Sequence, residues 1–143
     1  MKIFADIIHI ITNISWAADF SATIVAMIIG YIWYHPVLLG GVWKRIANID
    51  TSLFSSTKSL HLFLATFPIT FIIAANIAAF CKHMTYTDPT RAFLIGYDLG
   101  LVICLFLAII YLYEQRSLKL YIMHAGYTIT AMSAMGFVIG KVL

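Results

Sequence analysis

Three polar side chains lie inside long apolar stretches of this 143-residue chain, where an unpaired charge is costly to keep. They are Asp19, Asn76 and Asp98. Asp98 shares its helical face with aliphatic residues, so its carboxyl group is expected to be protonated or hydrogen-bonded, either near Asn76 or Asp19 or across a subunit contact. One hypothesis is therefore an oligomeric transport or channel-like protein, in which these three residues form a path for protons or a small ion.

A second set of side chains has the chemistry of a metal site: His35, His61, Glu114 and His124. Each lies at or near an end of an apolar stretch, and alternating chain direction would place all four near the same membrane face. Imidazole and carboxylate groups suit zinc, iron or another transition metal. No two of them have the i, i+3 or i, i+4 spacing, so interfacial histidines bonded to headgroups or backbone are the alternative. A metal here would indicate a membrane-embedded enzyme or redox partner.

Motifs for the common enzymatic reactions are absent from the sequence. Cys81 and Cys104 lie at different depths, and there is no C-x-x-C, H-E-x-x-H, glycine-rich phosphate loop or Gly-x-Ser-x-Gly elbow. The sequence names no cofactor, and a protein without enzymatic activity is the expectation. A third hypothesis is a structural or accessory membrane subunit without chemistry of its own.

The composition indicates which solvent surrounds these residues. The chain is 62% hydrophobic and 10% charged, with a mean hydropathy of +0.95, whereas soluble proteins have roughly 25% charged residues. The predicted partner is therefore the lipid bilayer. Long apolar runs without strict alternation exclude a β-barrel. A formal net charge of +3 without a basic block excludes nucleic acid as a partner.

Four apolar helices have to position the polar side chains. A transmembrane helix needs about 20 mostly apolar residues, and four segments qualify, at about 17–35, 61–81, 92–113 and 120–140. Before them, isoleucines at helical spacing predict an amphipathic interfacial helix over residues 1–15. The sequence thus predicts an all-α fold, in which residues 16–143 form one up-down bundle of four transmembrane helices.

Small residues predict where these helices pack. Gly96 and Gly100 are four residues apart in the third span, and Gly136 and Gly140 repeat that spacing in the fourth, where Gly126 falls on the same face. Such ridges let two backbones approach closely. We expect them to form seams inside the bundle, with a contact between copies in a homo-oligomer as the alternative.

The end of the first span carries aromatic, proline and glycine residues in a distinctive order, GYIWYHPVLLGGVW, at residues 30–43. Aromatic rings suit the headgroup depth, and proline ends a helix. This stretch is therefore predicted to be a structural membrane-exit motif, formed by Gly30, Trp33, Tyr34, Pro36, Gly40 and Trp43.

The same stretch resembles the Gly-x-x-Trp-Tyr-x-Pro-x-x-Phe-Gly-x-x-Trp signature of a family of small bacterial membrane proteins, domain-of-unknown-function family 1761. A second block, YEQRSLKLYIMHAGYTITAMSAMGFVIG at residues 113–140, is similar to that family's ending, which contains an Asn-Ala-Gly-Tyr-His motif. His35, Leu39, His124 and Thr128 depart from the usual small residue, Phe, Asn and His. The resemblance implies four helices in a multi-pass protein of the bacterial inner membrane, and no established activity.

Overall fold

The structure, a computed structural model, describes residues 15–49, 56–85 and 88–143. All regular structure in these ranges is helical: α1 Trp16–Trp33, a π-helical segment Pro36–Gly40 that is kinked at Leu38, α2 Gly41–Ile46, α3 Ser56–His83, α4 Pro89–Tyr113 and α5 Leu118–Val142. The predicted all-α class is confirmed. Residues 1–14 of the predicted interfacial helix lie outside the described residues.

Four helical spans of the described chain are long and apolar enough to cross a membrane. They are Trp16–Ile46, which contains α1, the π-helical segment and α2, and then Lys58–His83, Pro89–Tyr113 and Leu118–Val142. The protein is therefore a multi-pass integral membrane protein, as predicted. Helices α3, α4 and α5 begin before the predicted spans, and α3 and α5 also end after them, because hydropathy detects the apolar centre of a helix and not its polar ends. Helix α1 ends two residues before the predicted end, at Trp33. The predicted connection from Pro36 to Leu60 is also partly helical, since it contains the π-helical segment, α2 and the start of α3.

Local sequence explains where the helices begin and end. His35 has the extended backbone that a following proline favours, so α1 stops just before Pro36. At α4, Pro89 occupies the first helical position, and the Asp88 carboxylate accepts a hydrogen bond from the backbone N–H of Arg91 at 3.1 Å. Gln115, with φ of 51°, then reverses the chain between α4 and α5.

Helix α5 lies at the centre of the bundle. It makes its most extensive contact with α4, a smaller one with α1 and a minor one with α3, while α1 also packs on α3. Between these helices the core is built largely from small side chains together with Ile77, Met135 and Ile139; the small ones include Ala18, Ala22, Ala26, Ala74, Ala78 and Ala92. Because lipid is as apolar as the core, close packing rather than escape from water has to hold the helices together.

Two glycines bring the backbones of α4 and α5 into contact. A Cβ atom added at Gly96 would overlap the carbonyl oxygen of Met132, and one added at Gly136 would overlap that of Ala92. Gly100 is less crowded, with its Cβ position 3.3 Å from the Cα of Ile129. This glycine ridge is thus occupied by the contact within one chain. Gly140 also meets α4, whereas Gly126 faces Trp33 of α1.

The alternating direction of the four helices makes a topological prediction. Reporter domains fused after Ile49 and after Ser117 should lie in one compartment, and those fused after Thr85 and after Leu143 in the other. Alkaline phosphatase and green fluorescent protein fusions measure this, because each is active on only one side of a bacterial inner membrane. Different compartments within either pair would contradict the up-down bundle.

Candidate functional site

Asp19 lies in the first turn of α1 and is buried inside the bundle. Its side chain is 1% exposed, and neither carboxyl oxygen has a hydrogen-bond partner among the described residues. Lys82, near the end of α3, interacts with it electrostatically. Thr23 does not bond the carboxyl group, because its Oγ1 donates to the main-chain oxygen of Asp19 at 2.6 Å. Asp19 is therefore a buried acid whose oxygens are still able to take a proton.

The two sequence blocks that carry the family resemblance meet at the opposite end of α1. Tyr34 packs edge-on against Trp43 and against Tyr127 of α5, with 5.3 Å between ring centroids in both pairs. The rings of Tyr34 and His124 lie 6.3 Å apart, and those of Trp33 and Tyr127 lie 6.5 Å apart. These five residues, named here the aromatic cluster, join the end of α1 to the first half of α5.

One hydrogen bond ties the aromatic cluster to α4. The hydroxyl of Tyr111 lies 2.5 Å from Nδ1 of His124, and the rings are perpendicular, with an interplanar angle of 88°. The guanidinium of Arg116 lies over the Tyr111 ring, 5.8 Å from its centroid. A neutral imidazole donates with one nitrogen and accepts with the other. The Tyr111–His124 pair therefore shares one hydrogen bond, whose direction depends on which imidazole nitrogen carries the proton.

Glycines allow the chain to fold tightly around the aromatic cluster. A Cβ atom at Gly40 would overlap the carbonyl oxygen of Tyr34, and the backbone N–H of Gly40 donates to the carbonyl of His35 at 3.0 Å. At Gly30, an added Cβ atom would lie 3.1 Å from the hydroxyl oxygen of Tyr127. The exit segment thus turns back on itself, and the Tyr127 hydroxyl reaches the α1 backbone.

The structure does not bring the three predicted path residues together. Asp19 is buried, but Asp98 and Asn76 are both exposed on the outside of the bundle. The Asn76 amide donates to the main-chain oxygen of Ile72 at 2.8 Å, within its own helix. The interior position expected for Asp98 is therefore not found in a single chain, because α4 turns its glycine ridge, and not this residue, towards α5. A subunit contact at Asp98 stays a prediction.

The four predicted metal ligands are not brought together either. Across residues 15–49, 56–85 and 88–143, no group of three His, Cys, Asp or Glu side chains is placed to hold a metal ion. His124 bonds Tyr111, and Glu114 forms a salt bridge with Arg116 at 2.6 Å. The Nδ1 atom of His35 accepts a bond from the Val37 backbone at 3.4 Å, and His61 is exposed. Similar depth in the membrane did not give these side chains a shared direction.

Two residues of the site were not singled out in the sequence. Tyr127 belongs to the His-Ala-Gly-Tyr stretch of the second block, so the resemblance was a usable signal for it. Tyr111 has no such signal, because it is one of several tyrosines near the end of the third span, together with Tyr113 and Tyr121. Only the packing of α4 on α5 shows that Tyr111 is the one that reaches His124.

Comparison with known protein families matches residues 18–140 to the family described as protein of unknown function (DUF1761). The match contains both sequence blocks and extends from the start of α1 almost to the end of α5. No curated protein and no solved structure matches the chain. Spanning most of the sequence, the family match confirms the resemblance, and the chain belongs to the DUF1761 family of membrane proteins of unknown function.

Proposed function

We propose that the protein carries protons across the membrane along the contact between α1 and α5. The observation that supports this is the buried carboxyl group of Asp19, which has no hydrogen-bond partner among the described residues. Leaving a buried polar group unpaired costs ~1–3 kcal/mol. In membrane proteins, such ionisable groups inside a bundle commonly belong to ion or proton pathways.

Further proton-exchanging and hydroxyl groups lie along the same contact. Thr23 follows Asp19 by one turn, the Tyr127 hydroxyl lies beside Gly30, and the Tyr111–His124 pair lies at the far end. The levels of Thr23 and Gly30 are about 10 Å apart, at 1.5 Å of helix rise per residue. Water molecules have to bridge this interval, while Asp19 and His124 exchange protons near the two ends.

A proton fits Asp19 better than a metal cation does. Hard cations such as Ca²⁺ and Mg²⁺ take about six or more oxygen ligands. The adjacent buried positions on α1 are Ala18 and Ala22, which have no side-chain oxygen, and the Thr23 hydroxyl is already bonded to the backbone. A carboxyl group flanked by these side chains can still bind one proton. The positive charge of Lys82 favours the carboxylate that remains after the proton leaves.

Reconstituted liposomes test the proposal. We expect the wild-type protein to acidify a dye-loaded lumen when valinomycin and a potassium gradient impose an inside-negative potential. Asp19→Asn should reduce the rate to that of empty liposomes, because an amide of similar shape cannot exchange a proton. The matched control is Asp98→Asn, the same change at an exposed position off the α1–α5 contact, and it should retain the wild-type rate.

Two results would contradict proton transport along this contact. Wild-type protein that acidifies no faster than empty liposomes would favour the accessory-subunit hypothesis. Equal rates for wild type and Asp19→Asn would show that protons cross by another route. Size-exclusion elution of each variant at the wild-type volume verifies folding before the flux is measured.

A further inference from the structure

The outer face of α4 carries a carboxyl group among aliphatic side chains. We define this face by Leu94, Asp98, Val102, Leu105 and Ile109, all of which are exposed. Asp98 is about 13 Å from the start of α4, at 1.5 Å of rise per residue. It therefore lies well inside the membrane-spanning part of α4, on the side that is opposite the Gly96 contact with α5.

Nothing in the described part of the chain satisfies the Asp98 carboxyl group. No hydrogen bond or salt bridge joins it to any residue in the described ranges 15–49, 56–85 and 88–143. Lipid chains offer no hydrogen-bonding group at that depth, and a carboxyl group needs one whether it is ionised or protonated. The missing partner therefore lies outside the described residues.

We propose that two copies of this chain associate through the outer face of α4, with their Asp98 side chains hydrogen-bonded to each other. A two-fold axis along the membrane normal that passes beside Asp98 places the two Asp98 side chains at the same depth and next to each other. The O–H of one carboxyl group then donates a hydrogen bond to an oxygen of the other. The same arrangement packs the aliphatic residues Leu94, Val102 and Leu105 against their counterparts.

Two features favour a second copy over an unrelated protein as the partner: the symmetry of an Asp98 pair, and the pairing of the Asn76 amide on α3 within its own helix. An unrelated partner would need its own polar residue at the depth of Asp98, whereas a second copy supplies one by symmetry. Asn76 makes no comparable demand on α3, because its amide already donates to the Ile72 carbonyl. The contact is also sterically open, since α4 is attached to the bundle mainly through α5. This proposal does not depend on proton transport.

Cysteine cross-linking in liposomes tests the position of the contact. Val102→Cys lies one turn from Asp98 on the outer face and should form a disulfide-linked dimer under mild oxidation. Ile103→Cys is the matched control at almost the same depth, also exposed but turned by about 100° on the helix, and it should remain mostly monomeric. Wild-type protein supplies the background, because Cys81 and Cys104 are buried. Equal cross-linking at both positions would overturn the proposal.

Dimer dissociation in lipid tests the role of Asp98 itself. We expect Asp98→Leu to raise the dissociation constant about tenfold, which corresponds to ~1.4 kcal/mol, as measured by single-molecule photobleaching at decreasing protein-to-lipid ratios. Asp98→Asn should change it much less, because two amides can also pair. Asn76→Leu, a similar change on the outside of α3, should leave it unchanged. A wild-type protein that is monomeric at every ratio, or a leucine variant that dimerises like wild type, would overturn the proposal.

Discussion

Gly96→Ala is expected to destabilise the protein strongly, and more than Gly100→Ala, the same change at the other glycine of α4 that faces α5. The new Cβ atom would overlap the Met132 carbonyl oxygen, and both groups belong to rigid helical backbone. The two helices must therefore move apart, which also loosens the neighbouring contact between Gly136 and Ala92. Overpacking of this kind costs ~1–3 kcal/mol, and more where the backbone cannot adjust. The loss of folded protein after heating in detergent, followed by size-exclusion chromatography, measures the effect.

Two other glycine substitutions separate this steric effect from a general effect of adding a methyl group. Gly100→Ala places its Cβ atom 3.3 Å from the Ile129 Cα, so a shift of a few tenths of an ångström is sufficient and a small loss is expected. Gly41→Ala meets only the Pro36 carbonyl oxygen at 3.5 Å, an ordinary contact. Since alanine favours helix by up to ~1 kcal/mol over glycine, Gly41→Ala should be neutral or stabilising. Equal losses at all three positions would contradict the backbone contact at Gly96.

Trp33→Ala is expected to produce the second large loss of stability. Its ring is packed on the α5 backbone, where a Cβ atom at Gly126 would lie 3.1 Å from the indole, and it borders Tyr127 within the aromatic cluster. Truncation leaves a cavity between α1 and α5. Trp→Ala changes in water-soluble cores cost ~3–5 kcal/mol. We expect a value near the lower end, because the part of this cost that comes from transfer out of water is smaller in lipid. Thermal unfolding in detergent measures it.

Trp16→Ala is the control for the loss of an indole from the same helix. Trp16 is 57% exposed and packs against Phe20 and Phe71 on the outside of the bundle. Removing it opens no internal cavity, so the expected loss is much smaller than at Trp33. If the two alanine variants unfolded at the same temperature, the aromatic cluster would not be a packed joint between α1 and α5.

The architecture was predictable because hydropathy alone defines four helices in a chain of this composition. Hydropathy also indicated that His35 and Glu114 lie at helix ends, and the structure places them at the ends of α1 and α4. The direction in which a side chain points was less accessible. Gly96 and Gly100 indicate which side of α4 faces a neighbour, and Asp98 then lies on the opposite side, but no pattern shows whether a further helix covers it.

The candidate site was predictable only in part, and the reason is the pairing of helices. Asp19 was recognised as a polar residue inside a span, but its expected companions, Asp98 and Asn76, lie on helices that turn them outward. Tyr111 became part of the site because α4 packs on α5, and the sequence offered no means of choosing it over Tyr113. Which side chains meet between two helices depends on how each helix is rotated about its own axis. Hydrophobic composition does not determine this rotation when every face of the helix is apolar.

The central position of α5 has a consequence for the order in which the molecule is made. Helices emerge from the ribosome in chain order, so α1 and α3 can pair in the bilayer while the remainder is still being translated. Helix α4 has few contacts with either of them and must wait, its glycine ridge in lipid, until α5 has been inserted. Insertion of α5 then completes the contacts of all three earlier helices together. The bundle therefore closes only when α5 is inserted, and until then α4 is the segment most dependent on protection from wrong partners in the membrane.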